Sequence, residues 1–323
     1  MSEPAFLLPV PALGRWREGN TGVEGVWRFA AQASGPRLLV TALIHGNELC
    51  GAWALLNILQ EGLRPRRGTL TLAFCNLQAF DSFDRDRPLA SRFVDEDLNR
   101  VWGDGMGRRS PSAEQRRAIA LLPFVDSADW LLDLHSMTGP SVPLLLTGLQ
   151  PRNVALARQL GTPGLVIVDA GHAEGRRMRD HGAFGAADAT ALSLLLECGQ
   201  HGELASRDVA LDMAARCLVQ SGCVTADDIP ASWLRPLPAQ QRVLEVTEAV
   251  VARDADVRFA KPWRSGDVVA DAGSVLGWNG GDAFLTPYAD CTLVMPSLQQ
   301  LRPGVTIVRL ARENANPETT RPS

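Results

Sequence analysis

Apolar residues along this chain fall into short continuous runs, separated by stretches with a stripe every three to four positions. This is the pattern of buried strands alternating with amphipathic helices. Runs at residues 23–30, 37–44 and 69–75 predict strands, and residues 52–63, with Leu55, Leu56 and Ile58 facing inward, predict the helix between the second and third. Residues 76–105 break the rhythm. They are rich in Asp, Arg and Pro, and a connection of that length inside a compact domain tends to be functional. A helix at 112–122 leads into a strand at 130–135, and apolar runs follow at 142–146, 164–168 and 191–196. Residues 203–219 then carry a helical stripe of Ala210, Met213, Ala214, Cys217 and Leu218. Such alternation predicts an α/β layer fold with a mainly parallel sheet, whose chemistry belongs at the carboxyl ends of the strands. His45, Asn76, His135 and Glu197 all fall there.

The pattern changes near Pro230. Pro230, Pro236 and Pro238 read as a linker, after which β-type runs at 243–251, 267–270, 283–286, 291–295 and 305–310 alternate with Gly, Asp and Pro turns. The expected organisation is a catalytic unit at 1–235, a small C-terminal all-β domain at 236–312 and a polar, disordered tail at 313–323.

His45-Gly46-Asn47-Glu48 closes the second strand, and His135 closes the one at 130–135. An imidazole and a carboxylate three positions apart at a strand end can turn toward one point. With a second His they form the donor set of a catalytic zinc, which keeps one position open for water. The plainer alternative is a strand-end His followed by a Glu that favours a helix N-terminus. Asp133 points the same way along its strand as His135, and either orients an imidazole or faces solvent. Glu197 stands between Leu194-Leu195-Leu196 and Gly199, where a carboxylate is costly to bury unless it is used or paired with an arginine. Beside an activated water it would carry a proton to a leaving amine. The segment Arg92-Phe93-Val94-Asp95-Glu96-Asp97-Leu98-Asn99-Arg100 offers guanidinium and amide groups that suit an acidic substrate or a scissile carbonyl. His172, His181 and His201 are expected to be surface or hydrogen-bonded histidines. Cys198 with His201 raises a thiol-nucleophile reading, although nearness in sequence does not make the two face each other.

Composition narrows the partners. A formal net charge of -4, with no dense basic stripe, gives no electrostatic case for nucleic acid and favours a small molecule. The six cysteines are scattered without a CxxC pair, the N-terminus lacks a basic signal region, and no apolar run approaches ~20 residues. The expectation is a cytoplasmic protein with no membrane partner; a homodimer is compatible with it.

Taken together, His45-Gly46-Asn47-Glu48, Asp97-Leu98-Asn99-Arg100, Asp133-Leu134-His135-Ser136 and Glu197 followed by Gly199 resemble, in that order, the succinylglutamate desuccinylase/aspartoacylase family, relatives of the zinc carboxypeptidases. The resemblance covers most of the chain. It implies a three-layer αβα catalytic domain with a mainly parallel or mixed sheet, and a β-rich C-terminal domain. It also implies one zinc per chain held by His45, Glu48 and His135, with Glu197 as general acid/base. Asn99 and Arg100 would bind a carboxylate or carbonyl of the substrate, and Arg92 matches a family arginine that polarises the scissile carbonyl. The segment at 171–182 departs from the family's substrate-binding stretch, so Arg176, Arg177 or Arg179 is expected either to take over that role or only to line the surface. Tyr288, the sole tyrosine, is expected to reach the cleft from the C-terminal domain. The expected reaction is hydrolysis of the amide of a small N-acyl amino acid or similar carboxylate-bearing compound by a zinc-activated water. The rivals are a carboxypeptidase, an esterase, and a binding protein that retains zinc without turnover.

Overall fold

Successive residues of a strand point to opposite faces of its sheet, and in this chain both faces are covered. The computed structural model describes residues 6–103, 105–107, 110–172, 174–299 and 301–314. Strands β1 (Val26–Ala30) and β2 (Ala33–Ala42) are followed by α1 (Leu49–Gln60), β3 (Arg67–Phe74) and the short α2 (Leu77–Asp81). Then come α3 (Ala113–Asp126), β4 (Trp130–Met137), β5 (Leu144–Leu146), α4 (Pro151–Leu160), β6 (Leu165–Val168), β7 (Leu192–Gln200) and α5 (Leu204–Gln220). The C-terminal strands are β8 (Arg242–Val251), β9 (Val257–Phe259), β10 (Val268–Val269), β11 (Val275–Asn279), β12 (Asp282–Leu285), β13 (Cys291–Val294) and β14 (Thr306–Glu313).

Leu38, Val40 and Ala42 of β2, with Leu132 and Leu134 of β4, pack into one core with α1, α4 and α5. Their neighbours Leu39 and Leu131 pack into a second core with Ala118, Leu121 and Val125 of α3. A sheet between two helical layers explains why these strands read as unbroken apolar runs, and it is the expected three-layer architecture. Helix α4 lies outside the hydrophobic pattern read from the sequence. Its boundary signals are present, with Pro151 in the first turn and Gly161, at a left-handed φ of 70°, just past the end.

The large sheet runs β1-β3-β2-β4-β7-β5-β6-β8-β14-β13-β10, and β12-β11-β9 form a small separate antiparallel sheet. Pairing is parallel through β3-β2-β4-β7 and again through β5-β6-β8, so the mixed sheet has two parallel blocks joined by an antiparallel β7–β5 pair and flanked by antiparallel edges. Strand β8 pairs in parallel with β6, from Leu165 opposite Arg242 to Val168 opposite Glu245. The strands after the proline-rich segment therefore extend the large sheet, and this brings β14 to the cleft. Strand β14 reaches Glu313, and residues 315–323 of the expected tail lie outside the described residues. All six cysteines are buried and unpaired. Among the described residues no helix is long and apolar enough to cross a membrane.

Candidate active site

Strand β2 ends at Ala42, and Leu43 takes a left-handed φ of 58°, a conformation that costs a non-glycine residue about 1–2 kcal/mol. After this turn the His45 ring lies 5.2 Å from the His135 ring, centroid to centroid. Gly46 cannot be larger: a Cβ there would sit 2.4 Å from the backbone of Ala79 and Phe80. Its N–H donates to the Arg92 carbonyl at 3.1 Å, tying the His45 turn to the long segment that follows β3.

Glu48 stands between the two imidazoles. Its Oε1 is 2.7 Å from His45 Nδ1 and its Oε2 2.9 Å from His135 Nδ1. The outer nitrogens are also held, His45 Nε2 by Asp97 at 3.0 Å and His135 Nε2 by Asp133 at 2.9 Å. Asp133 is itself fixed by the Thr41 hydroxyl, which donates to it at 2.7 Å, so of its two readings the orienting one holds. Burial works against the charge on Glu48, but the two imidazoles outweigh it and hold the carboxyl well below its usual range. In the same way burial opposes a proton on His135, while Asp133 and Glu48 raise its pKa well above the ordinary value. Three buried donor atoms of His45, Glu48 and His135 lie within 4.8 Å of one another, a set able to hold a metal ion. A dication fits this arrangement because it can replace the protons shared between the imidazoles and Glu48, and because carboxylates already orient both rings from behind.

These residues form the floor of a cavity also lined by Arg92, Asn99, Arg100, His172, Arg177, Glu197 and Arg309. Glu197 lies opposite His135 across the β4–β7 pair, and its Oε2 has no hydrogen-bond partner. Burial, reinforced by Glu48 and opposed by His135 and Arg92, pushes its pKa up to about 8. Arg92 reaches Asp97 at 3.0 Å and Glu48 at 3.6 Å. Asn99 accepts a hydrogen bond from the Met178 N–H at 3.0 Å, joining its segment to residues 176–180. The 92–100 segment is held from below by Glu114 of α3, whose carboxylate accepts from the N–H groups of Val94, Asp95 and Glu96 and from Asn76 Nδ2.

The model of the succinylglutamate desuccinylase/aspartoacylase catalytic domain matches residues 34–217, more than half of the chain. The chain belongs to the succinylglutamate desuccinylase/aspartoacylase family. It is a family of deacylating hydrolases, which sets this protein among the hydrolases. No curated protein matches it by sequence. Its structure is similar to succinylglutamate desuccinylase from Vibrio cholerae, at a TM-score of 0.67 and 18% identity over 90% of this chain and 86% of that one. It is likewise similar to a succinylglutamate desuccinylase/aspartoacylase from Rhodobacter sphaeroides, with a TM-score of 0.63 and 20% identity over 90% and 89% of the two chains. The product-bound ectoine utilization protein EutE (DoeB) from Ruegeria pomeroyi gives 0.61 and 17% over 88% and 87%. At these identities the likeness speaks for the fold.

Within this family fold, two residues expected to touch substrate lie elsewhere. Arg179 is buried away from the cavity, donating to the Thr147 and Ser193 carbonyls and pairing with Asp180, because it closes the junction between the 176–180 turn and β7. Tyr288 packs with the C-terminal core, and its hydroxyl is 2.6 Å from Thr247 Oγ1. Of the three candidate arginines, Arg177 is the one that lines the cavity, with its guanidinium on Asp169 at 3.0 Å and Asp180 at 2.6 Å. Arg309 of β14, absent from the sequence-based reading, joins it and donates to His172. Burial together with Arg100, Arg309 and Arg177 pushes the His172 pKa down to about 2, so this histidine is a neutral cavity residue. His181 bonds the Trp102 carbonyl and Asp126, while His201 bonds Ser136 Oγ at 2.8 Å. Cys198 packs in the helical core and burial raises its thiol pKa, which removes the thiol-nucleophile reading.

Proposed function

We propose that the protein is a zinc-dependent amidohydrolase that removes the acyl group from a small N-acyl amino acid or a similar carboxylate-bearing compound. The observation that carries this reading is the convergence of His45, Glu48 and His135 beside a carboxylate, Glu197, that has an unpartnered oxygen. Zinc would be held through Nδ1 of both histidines and the Glu48 carboxylate, since Asp97 and Asp133 occupy the outer nitrogens. Bound there, it supplies Lewis acidity toward a carbonyl and lowers the pKa of water. The chain's own residues do the rest. Glu197 takes the proton of the attacking water and later delivers it to the leaving amine, a role that suits a carboxylate lining the cavity with one oxygen unpartnered. Arg92, which lines the cavity, would meet the negative charge that develops on the carbonyl oxygen, and Arg100, Arg177 and Arg309 would receive a substrate carboxylate. A cavity of about 170 Å³ favours a small substrate over a polymer.

The test is release of primary amine by the zinc-loaded protein from N-acetyl, N-succinyl and N-formyl amino acids, with short peptides and carboxylic esters alongside. Glu197→Gln is expected to keep zinc while losing roughly 10²- to 10⁴-fold in turnover. His45→Ala is expected to lose both. Stoichiometric zinc in His45→Ala, or undiminished turnover in Glu197→Gln, would sink the assignment.

A further inference from the structure

The cavity above the metal ligands has two continuations. Thr138 and Ser297 line it and also line two neighbouring openings, which places both openings directly beside the cavity. One opening is charged, with Arg92, Arg100 and Arg302 set among the carboxylates of Asp95, Glu96, Asp97 and Glu174. The other is a chamber of about 450 Å³ walled by Phe6, Leu89, Phe259, Pro262, Trp263 and Leu298. Arg264 is its single charged side chain among the described residues, and it is exposed. His201 also reaches the wall but is neutral, since burial and the nearby cations push its pKa down to about 4. The Trp263 indole N–H is spent on the Leu276 carbonyl, which leaves an apolar ring.

An amide substrate has two sides. The α-carboxylate and the side chain of an amino acid hang from the nitrogen, whereas the acyl group hangs from the carbonyl carbon. Arg100, Arg177 and Arg309 line the main cavity and none of them lines the apolar chamber, so a carboxylate anchored on them leaves the acyl group to that chamber. A second carboxylate, such as that of a succinyl group, would be desolvated in the chamber with only a rim arginine to meet it. We propose that the substrate is an N-acyl amino acid whose acyl group is apolar and at least the size of phenylacetyl or a six-carbon chain, seated between the N-terminal segment and the C-terminal strands. This rests on the amidohydrolase reading and narrows it. The chamber has ample room, because a cavity of roughly 150 Å³ already accommodates benzene.

Hydrolysis of N-acetyl, N-succinyl, N-phenylacetyl and N-hexanoyl derivatives of glycine, aspartate, glutamate and phenylalanine by the zinc-loaded full chain tests the proposal. At a fixed amino acid, the phenylacetyl and hexanoyl compounds are expected to exceed the acetyl compound at least tenfold in kcat/KM, the scale of apolar pocket discrimination, with the succinyl compound no better than acetyl. Leu298→Glu, at a 38% exposed position, is expected to keep its melting temperature while lowering the phenylacetyl-to-acetyl ratio about fivefold. A succinyl preference, an advantage that follows the amino-acid side chain instead of the acyl group, or an unmoved ratio in Leu298→Glu overturns it. Calorimetric binding to Glu197→Gln separates this proposal from the amidohydrolase reading. Phenylacetate binding tighter than acetate and succinate, and weakened by Leu298→Glu, upholds the chamber even where no amide is cleaved; equal binding of the three acids refutes it.

Discussion

Glu114 touches neither His45, Glu48 and His135 nor the cavity, yet the substitution Glu114→Gln should disable the site. Its carboxylate is fully buried and accepts four hydrogen bonds: Oε1 from Val94 N at 2.7 Å and Asn76 Nδ2 at 3.0 Å, Oε2 from Asp95 N at 3.0 Å and Glu96 N at 3.2 Å. A glutamine keeps one oxygen, so its amide nitrogen must face two N–H donors. Each hydrogen bond to a charged acceptor contributes about 1.5–3 kcal/mol, and losing two at the lower figure costs about 3 kcal/mol. The lower figure applies because Val94 and Asp95 are exposed and water can replace a lost partner. The damage is directed: Asp97, which holds His45 Nε2, and Arg92, which reaches Glu48, ride on the segment that Glu114 anchors. Zinc affinity should therefore fall by roughly 10- to 100-fold, as when an outer partner of a metal-bound histidine is removed. Urea denaturation of the metal-free protein, read as a change in midpoint at constant slope, measures the first effect, and chelator competition measures the second. A loss below about 1 kcal/mol, or a full loss of stability with zinc affinity untouched, would refute the reasoning.

Two other perturbations test the electrostatics. Glu197 has its pKa raised from 4.5 to about 8 by burial and Glu48. A carboxyl raised on folding contributes stability that is complete below the unfolded value and is lost as pH rises through the folded one. The metal-free wild type should therefore fall behind Glu197→Gln progressively between pH 4.5 and about 8; a stability gap that is flat across this window would contradict the assignment. Asp133→Asn leaves the His135 ring facing a weaker, uncharged acceptor and reverses the bond with Thr41, whose hydroxyl must then accept, so zinc should bind roughly 10- to 100-fold more weakly with little change in secondary structure by circular dichroism. Unaltered affinity would mean that Asp133 does not orient the ligand.

The features legible in the sequence were those written locally. A strand buried on both faces must be apolar at consecutive positions, so residues 37–44, 130–135 and 191–196 declared themselves, and with them the strand ends that carry His45, Glu48, His135 and Glu197. The first two donors are three residues apart on one turn and need no distant partner to point together. Much of the cavity wall was not legible, because it is made by pairing across the sheet. Parallel addition of β8 to β6 and antiparallel addition of β14 to β8 carry Arg309 to His172, 137 positions away in the chain. Arg177 and Arg179 are two residues apart in one short turn and look interchangeable in sequence. Asp180 pairs with both; Asp169 holds the first beside the cavity, while the carbonyls of Thr147 and Ser193 draw the second into the scaffold. Tyr288, half-buried, packs its ring on the C-terminal core and keeps its hydroxyl on Thr247. The sequence by itself determined the strands of the catalytic half, the helices α1, α3 and α5 and the residues at the strand ends. Only the tertiary structure decided which arginines line the cavity and which neighbouring opening is apolar, since both depend on residues that meet only after the sheet has assembled.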